Sequence, residues 1–367
     1  MRAGIPKEMR PGEHRVAIAP ESLPRLKKLG VDVLVEQGAG VASGFPDASY
    51  ATKGALGVTR AEALASEIVL AVDAPPPSEL ARGALLVCMA DPLGTPRAIA
   101  ELARAGVSCI ALELIPRISR AQAMDVLSSQ ANLAGYKAML LAASRSTKIF
   151  PLLMTAAGTV RPAKVFVLGA GVAGLQAIAT GRRLGAAVEA FDIRPETKQE
   201  VESLGARFLE LEVAKDARAN GGYARELTAE EKARQTELMA AHIQAADVVV
   251  TTAQVPGRRA PRLISAEVVR GMKAGAVIVD MAAESGGNCE LSRPGEEVLE
   301  GGVLILGPRN LPSSAAQSTS QLYASNVVSF LALVLKEQKL VLDLADEIVR
   351  ATLVCHAGEI TNERVKE

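Results

Sequence analysis

The sequence predicts an α/β protein with two Rossmann-like, doubly wound parallel-sheet domains joined by long helices. Residues 2–114 alternate between short apolar strands and helices that stop at glycines, which is typical of such a layer. A second alternating stretch occupies residues 164–307. With 367 residues and 49% hydrophobic content, the chain is long enough to bury two separate cores.

The elements can be placed in chain order from their apolar runs and glycine stops. In the first half we expect helices at 20–29 and 96–105, and strands at 3–5, 31–36, 68–72, 85–89 and 107–114. In the second half we expect strands at 165–168, 206–211, 247–252, 276–280 and 303–306, with a further one ending at Asp192. From Ser320 the chain returns to helix and a short strand, which we expect to pack on the first domain. The predicted domains are therefore 1–128 with 315–367, and 129–314.

A glycine-rich turn follows the apolar strand 165–168. Gly169, Gly171 and Gly174 have the G-x-G-x-x-G spacing, and an apolar helix begins inside the motif. The first glycine allows a tight turn, the second allows a pyrophosphate to approach, and the third allows close packing of helix and strand. Free N–H groups at the helix N-terminus, including those near Val172 and Ala173, favour phosphate binding. The alternative is a glycine turn in an α/β unit that binds no ligand.

An acidic residue ends the next strand and decides which dinucleotide we expect. The carboxylate of Asp192 can accept hydrogen bonds from the adenosine ribose hydroxyls and would repel a 2′-phosphate. The sequence therefore predicts NAD(H) rather than NADP(H) as the bound cofactor. The candidate cofactor-binding residues are Gly169, Gly171, Val172, Ala173, Gly174, Asp192, Ile193, Tyr223 and Gln254.

Residues 120–146 read as one long helix that carries a polar stripe. The stripe is spaced so that its members share one face, and it contains no Lys or Glu. Its members are Gln122, Asp125, Ser129, Asn132 and Tyr136. The alternative is a solvated helix face, but short amide, carboxylate and hydroxyl groups favour a ligand or a partner.

A long charged insertion follows the predicted strand 206–211. Residues 213–227 contain Gly221 and Gly222 next to Tyr223, with few apolar side chains to anchor them. Loops of this length inside a compact domain are usually lids or disordered insertions. We expect this segment to close over the bound cofactor.

Several classes of function are disfavoured. The formal net charge of zero offers no basic footprint for nucleic acid. The histidines and cysteines show no metal-ligand spacing and no C-x-x-C pair, and the chain contains no G-x-S-x-G motif. The N-terminus has no apolar run typical of a signal peptide, and the run 327–335 is about half a membrane span. We therefore expect a soluble chain without a metal.

Five stretches, distributed over essentially the whole chain, carry family motifs. They lie at residues 5–17, 117–136, 154–160, 169–180 and 280–289. Together they resemble the alanine dehydrogenase and nicotinamide nucleotide transhydrogenase family. The stretch R-I-S-R-A-Q-A-M-D-V-L-S-S-Q-A-N-L-A-G-Y at 117–136 is specific to the transhydrogenase branch and resembles its soluble NAD(H)-binding domain I.

The resemblance implies a function, a set of partners and a location. It implies reversible, Re/Si-specific hydride transfer between NAD(H) and NADP(H), coupled to proton translocation, with NADP(H) held by a partner subunit. It implies a homodimer that works only with a membrane-spanning subunit and an NADP(H)-binding subunit. The chain would then be cytoplasmic and peripheral on the inner face of the plasma membrane through those subunits.

The resemblance also implies which residues act in catalysis. Arg117, Gln122, Asp125 and Ser128 would surround the nicotinamide, and Gln122 could reach the partner's NADP(H). The loop with Tyr223 would be the mobile segment that closes over NAD(H). Because the cofactors carry hydride chemistry, the protein needs no nucleophile and mainly orients the two rings.

Two other functions stay open at this point. An NAD-dependent alanine or amino-acid dehydrogenase is disfavoured, because the positions of the dehydrogenases' lysine and histidine correspond to Ala71 and Met89. Arg15 matches a substrate arginine of the dehydrogenases but is insufficient alone. A non-catalytic NAD sensor is disfavoured by the Arg117–Ser128 group, which a sensor would not need.

Overall fold

The structure, a computed structural model, describes residues 1–210, 229–254 and 259–366. The chain divides into two compact units, one formed by Met1–Gln130 with Pro312–Glu367 and the other by Ala131–Leu311. Each unit is an α/β layer with its own core.

The strands and helices follow one another in this order. The strands are β1 (Arg2–Ile5), β2 (Asp32–Glu36), β3 (Leu56–Val58), β4 (Ile68–Asp73), β5 (Leu85–Met89), β6 (Ser108–Ala111), β7 (Leu153–Thr155), β8 (Gly158–Val160), β9 (Lys164–Leu168), β10 (Ala187–Phe191), β11 (Arg207–Phe208), β12 (Val248–Thr251), β13 (Val277–Asp280), β14 (Glu297–Glu300), β15 (Val303–Leu306), β16 (Leu335–Lys336), β17 (Lys339–Leu340), β18 (Leu353–His356) and β19 (Glu359–Ile360). The α-helices are α1 (Leu23–Lys28), α2 (Asp47–Ala51), α3 (Arg60–Leu64), α4 (Pro96–Arg104), α5 (Val126–Arg145), α6 (Val172–Arg183), α7 (Thr197–Ser203), α8 (Ala229–Ala245), α9 (Ala266–Arg270), α10 (Ala316–Val334), α11 (Glu347–Thr352) and α12 (Glu363–Lys366).

The first unit is built on a sheet with the order β19-β18-β6-β5-β4-β1-β2-β3. The strands from β6 to β3 pair in parallel, and β18 and β19 add an antiparallel edge. The register sets Cys355 opposite Cys109, so the C-terminal segment completes this sheet. The long helix α10 fills the core beside the sheet with side chains that are fully buried, among them Tyr323, Phe330 and Leu331.

The second unit is built on a sheet with the order β11-β10-β9-β12-β13-β15-β14, parallel except for the last pair. The strand order reverses at β9, which has β10 on one side and β12 on the other. In open α/β sheets, ligands bind at the carboxyl ends of the strands at such a reversal. The sheets of both units are Rossmann-like, which confirms the predicted fold class.

The predicted helix at 120–146 is wrong at its start. Residues Ser119–Met124 form a 3₁₀ turn, and Asp125 has φ −73° and ψ 92°, outside the helical region. The Asp125 carboxylate accepts hydrogen bonds from the backbone N–H and the hydroxyl of Ser128. An aspartate with this geometry caps a helix, because it satisfies N–H groups that the first turn leaves free. Helix α5 therefore begins at Val126, and Gln122 and Asp125 do not lie on the same helical face as the rest of the predicted stripe.

Two further differences concern the extents of strands. The strand expected at 107–114 ends at Ala111 and continues as a 3₁₀ turn over Leu112–Leu114. The strand expected at 206–211 is the short β11. The predicted lid at 213–227, with Tyr223, lies outside the described residues.

Candidate functional site

The glycine turn after β9 is formed by close backbone approaches. Gly169 has φ +98°, and its N–H donates to the carbonyl of Phe191 at 2.8 Å. A Cβ on Gly169 would lie 2.5 Å from the Thr252 hydroxyl oxygen, and one on Gly174 would lie 1.9 Å from the Gly169 carbonyl oxygen. The first and third glycines of the motif are therefore required by the packing of β9 and α6, as the sequence predicted.

The second glycine faces open space. Gly171 is the N-cap residue of α6, and no side chain caps this helix. A Cβ on Gly171 would meet one side-chain atom at 3.8 Å, an Arg194 guanidinium nitrogen. Beside it, Val172 is 41% exposed although it is apolar. The uncapped N–H groups of a twelve-residue helix thus lie at an accessible surface, which is the geometry that binds a phosphate group.

Asp192 lies directly after β10 with its carboxylate beside this turn. One oxygen accepts the Ala170 N–H at 2.7 Å, and the other accepts the Arg194 N–H at 2.8 Å. Burial alone would raise the pKa of Asp192, but the hydrogen bonds from Arg194 and Ala170 outweigh it and hold the pKa below its ordinary value. Asp192 is therefore a carboxylate at neutral pH, at the position where an adenosine ribose is expected.

The structure adds a residue that sequence reasoning missed. The Arg194 guanidinium donates to both carboxylate oxygens of Asp192, at 3.0 and 3.1 Å. The signal was available in the sequence as D-I-R, in which an arginine follows the strand-ending acid by two positions. Ile193, between them, is 85% exposed.

The loops after β12 and β13 form the neighbouring wall of the same sheet edge. The Thr252 hydroxyl donates to the Gly169 carbonyl at 3.1 Å. The Asn288 side chain accepts from the Ala253 N–H and donates to the carbonyls of Ala253 and Pro261. The side chain of Gln254 donates to the Met281 carbonyl at 2.9 Å. These contacts fix the loop containing Gln254 close to the turn, and sequence reasoning identified neither Thr252 nor Asn288.

The four residues expected near the nicotinamide lie in the first unit, within one short segment. Asp125 and Ser128 are joined by the capping hydrogen bonds at 2.9 and 2.6 Å. Arg117 and Gln122 are exposed, and within the described part of the chain no hydrogen bond or ion pair reaches either side chain. Asp125 is therefore a helix cap rather than a member of an ion pair with Arg117.

The carboxyl ends of the strands in the first unit are acidic. Glu8 accepts hydrogen bonds from the N–H groups of Val72 and Asp73, and its burial raises its pKa to about 8. Burial also raises the pKa of Glu113 to about 7. Burial thus favours the protonated form of both carboxyl groups, and neither of them supplies a positive charge to a negatively charged substrate at this edge.

Among the described residues, no cluster of His, Cys, Asp and Glu could hold a metal ion. No helix within the described ranges is long and apolar enough to cross a membrane. Two groups of polar residues are candidates for function, the turn with Asp192 in the second unit and the Arg117–Ser128 segment in the first.

Family descriptions match both parts of the chain. Residues 4–134 match the alanine dehydrogenase/PNT N-terminal domain, and residues 138–363 match the alanine dehydrogenase/PNT C-terminal domain. The chain belongs to the alanine dehydrogenase/PNT family. The resemblance predicted from the sequence motifs is confirmed.

Relatives within the alanine dehydrogenase/PNT family differ in their similarity to this chain. An NAD(P) transhydrogenase subunit alpha polypeptide of Rhodospirillum rubrum is 46% identical, covering 99% of this chain and 98% of that protein. The transhydrogenase structure from Sinorhizobium meliloti is also 46% identical, with a TM-score of 0.91, covering 98% of this chain and 100% of the other. Alanine dehydrogenase of Bacillus subtilis is 28% identical, covering 100% of this chain and 94% of that protein. The chain is thus more similar to these transhydrogenases than to this dehydrogenase.

The three positions that the resemblance relates to substrate residues of the dehydrogenases are paired or apolar here. Arg15 is 4% exposed, and its guanidinium donates to both Glu13 carboxylate oxygens and to the Gln130 side-chain oxygen. Ala71 is buried in β4, and Met89 ends β5. None of these three positions offers a free cation or an acid–base group to a carboxylate substrate.

Proposed function

We propose that the chain is the NAD(H)-binding subunit of a proton-translocating nicotinamide nucleotide transhydrogenase. Hydride would pass between NAD(H) on this chain and NADP(H) on a partner subunit. The observation that favours this over a dehydrogenase is the state of Arg15, whose guanidinium is already paired with Glu13 and Gln130. The similarity to transhydrogenase proteins supports the same choice.

We propose that the second unit holds the adenosine and pyrophosphate. Gly169, Gly171 and Gly174 would let the pyrophosphate approach the N–H groups at Val172 and Ala173. Asp192 and Ile193 would contact the adenosine ribose, and Gln254 would contact the cofactor from the loop after β12. Their positions along one sheet edge support these roles.

We propose that Arg117, Gln122, Asp125 and Ser128 orient the nicotinamide. NAD(H), when bound, supplies or accepts the hydride. The residues' own work is to hold the ring, because correct orientation of reactants can account for about 7–11 kcal/mol of a barrier. The exposed, unpaired state of Arg117 and Gln122 among the described residues supports a role in contacting a ligand or partner. Tyr223 would close over the cofactor from the insertion.

We propose that the chain is a homodimer, and the hairpin of β7 and β8 supports this. Its strands pair with each other and are exposed along their whole length. Met154 is 73% exposed, and Leu153 and Val160 are 46% and 44% exposed. A two-stranded hairpin is marginally stable by itself, and an exposed apolar patch of this kind usually marks an interface.

The homodimer can be tested with a charge placed on the hairpin. Met154→Asp should convert a dimer to a monomer in sedimentation equilibrium, because it would bury a charge in the interface. Met9→Asp, at another exposed methionine, is the control and should leave the dimer intact. A monomeric wild-type chain at micromolar concentration would contradict the proposal.

We also propose the remaining organisation from the family resemblance. The domains would be 1–128 with 315–367, and 129–314, and the division of the structure at Gln130 and Leu311 supports these limits. The chain would be cytoplasmic and would reach the inner face of the plasma membrane by binding a membrane-spanning subunit and an NADP(H)-binding subunit.

The proposed function is tested by assaying the isolated chain for two properties. It should bind NADH in a calorimetric titration, and it should not reduce NAD when alanine is supplied. NADH binding without alanine-dependent reduction supports the transhydrogenase subunit. Reduction of NAD by alanine would instead establish the amino-acid dehydrogenase, and absence of NADH binding would exclude both.

A further inference from the structure

The hydrogen-bond acceptors of Asp192 are all used by the protein itself. Four donors reach the carboxylate, namely the N–H groups of Ala170 and Arg194 and two guanidinium nitrogens of Arg194. A carboxylate has about four lone-pair positions. A ribose diol can therefore bind Asp192 only if some of these donors leave.

The donors that can leave are those of the Arg194 side chain. The backbone N–H groups of Ala170 and Arg194 are fixed by the turn and by the end of β10. The Arg194 side chain is 48% exposed, and the Asp192 side chain is 6% exposed. A half-exposed guanidinium can rotate into solvent and be hydrated there, while the buried Asp192 carboxylate keeps its two backbone donors.

The Arg194 guanidinium also lies beside the phosphate-binding turn. Its terminal nitrogen is 3.8 Å from where a Cβ on Gly171 would stand. The guanidinium thus lies beside the turn while it is paired with Asp192, and because the Arg194 backbone stays at the end of β10, the side chain remains within reach of a bound nucleotide after Asp192 has released it. Asp192 disfavours a 2′-phosphate by its negative charge, and an adjacent guanidinium partly cancels that charge.

We propose that Arg194 is a specificity-determining residue of the adenosine site. Its guanidinium pairs with Asp192, is displaced by the ribose when a nucleotide binds, and limits how strongly the site rejects a 2′-phosphorylated nucleotide. This inference rests on the proposed function, because it assumes that the turn binds NAD(H). It predicts that preference for NADH over NADPH is a property of the Asp192–Arg194 pair and not of Asp192 alone.

The test is calorimetric titration of NADH and NADPH into four proteins. Arg194→Ala should widen the ratio of the NADPH and NADH dissociation constants by about tenfold, because Asp192 loses the cation that offsets its charge. Arg194→Lys should keep the ratio within about threefold of wild type, since the positive charge remains. Arg207→Ala is the matched control, because it removes another arginine paired with a carboxylate in the same unit, at Glu189, and should leave the ratio unchanged.

A second pair of variants tests the coupling directly. Asp192→Asn should improve NADPH binding, because an unpaired Arg194 then faces the 2′-phosphate, and the amide oxygen can still accept the Ala170 N–H. Asp192→Asn combined with Arg194→Ala should lose that improvement. Melting temperatures of all variants establish that each is folded.

The outcomes separate this inference from the proposed function. If wild type binds NADH but Arg194→Ala leaves the NADPH to NADH ratio within about twofold of wild type, the role of Arg194 is overturned and the proposed function stands. Equal NADPH binding by Asp192→Asn with and without Arg194 would overturn it in the same way. If wild type does not bind NADH, the proposed function fails and this inference fails with it.

Discussion

The carbonyl oxygen of Gly169 lies 1.9 Å from where a Cβ on Gly174 would stand. The two residues join the end of β9 to the first turn of α6, so neither backbone can move without changing the turn. Real Cβ atoms do not approach a backbone oxygen this closely, and a side chain at Gly174 would push α6 away from the sheet.

Gly174→Ala is therefore predicted to affect both stability and binding. Overpacking of this kind costs about 1–3 kcal/mol in the free energy of unfolding, and displacement of α6 should weaken NADH binding. The measurements are urea unfolding and NADH titration on the same preparations. A variant with wild-type stability would show that the turn is more compliant than the structure indicates.

Gly171→Ala is the matched control for this prediction. A Cβ there meets one side-chain nitrogen at 3.8 Å, so stability should stay close to that of wild type. NADH binding should nevertheless weaken, because the methyl group would stand where the pyrophosphate approaches. Equal NADH affinity in this variant and wild type would argue against binding at the turn.

Asp192 leads to a prediction about cofactor choice. Wild type should bind NADH much better than NADPH, because the carboxylate accepts the ribose hydroxyls and repels a 2′-phosphate. Fluorescence titration with each nucleotide at the same ionic strength measures this. Comparable affinities would remove Asp192 from the assigned role.

Gln122 is predicted to act in hydride transfer and not in folding. Its side chain is exposed and has no hydrogen bond to a described residue, so Gln122→Ala should keep the melting temperature and NADH affinity of wild type. Hydride transfer in the complex with the partner subunits should fall by about 10²-fold, because a small misplacement of a reacting ring is that costly. Gln321→Ala, at another exposed glutamine, should leave the transfer rate unchanged.

Two substitutions are needed to test the role of Asp125 in hydride transfer, because this residue also caps α5. Asp125→Ala removes the acceptor for the Ser128 N–H and should lower the free energy of unfolding by about 0.5–2 kcal/mol. Asp125→Ser keeps a capping oxygen and should restore most of that stability. Hydride transfer should remain low in both variants if the carboxylate holds the nicotinamide. Recovery of transfer in Asp125→Ser would assign Asp125 a purely structural role.

The difference at Asp125 shows where sequence reasoning reached its limit. The periodicity of apolar and polar residues extended the helix back to Arg120, although D-V-L-S also has the spacing of a helix cap. A capping residue and a residue inside the helix can occupy the same position in the periodic pattern. The backbone dihedrals of Asp125 decide between the two. Sequence patterns are weakest at such element boundaries.

The glycine turn was predictable because its chemistry is local. The spacing of Gly169, Gly171 and Gly174 and the acid at Asp192 follow from backbone geometry that a short stretch of sequence specifies. The roles of Thr252 and Asn288 were not predictable, since they contact the turn from loops that only the strand order brings close. The hydrogen bond from Arg15 to Gln130 likewise was not predictable, because it joins residues that are far apart in the sequence.

The closure of residues 213–227 over the cofactor stays a prediction. It should gain protection from hydrogen exchange when NADH is added, with Tyr223 among the residues that become protected. Exchange monitored by mass spectrometry, with and without saturating NADH, measures this. Peptides of β14, at the opposite edge of the sheet from β11, serve as an internal control, and their hydrogen exchange should not change. Unchanged protection of 213–227 would exclude a lid.

The most direct test of the proposed subunit role is hydride transfer from NADH to a thionicotinamide analogue of NADP, followed by absorbance. The measurement compares this chain alone, an NADP(H)-binding transhydrogenase subunit alone, and the two mixed. The proposed role predicts rapid transfer in the mixture and none with either protein by itself. Transfer by the isolated chain, or no transfer in a mixture whose components each bind their nucleotide, would contradict it.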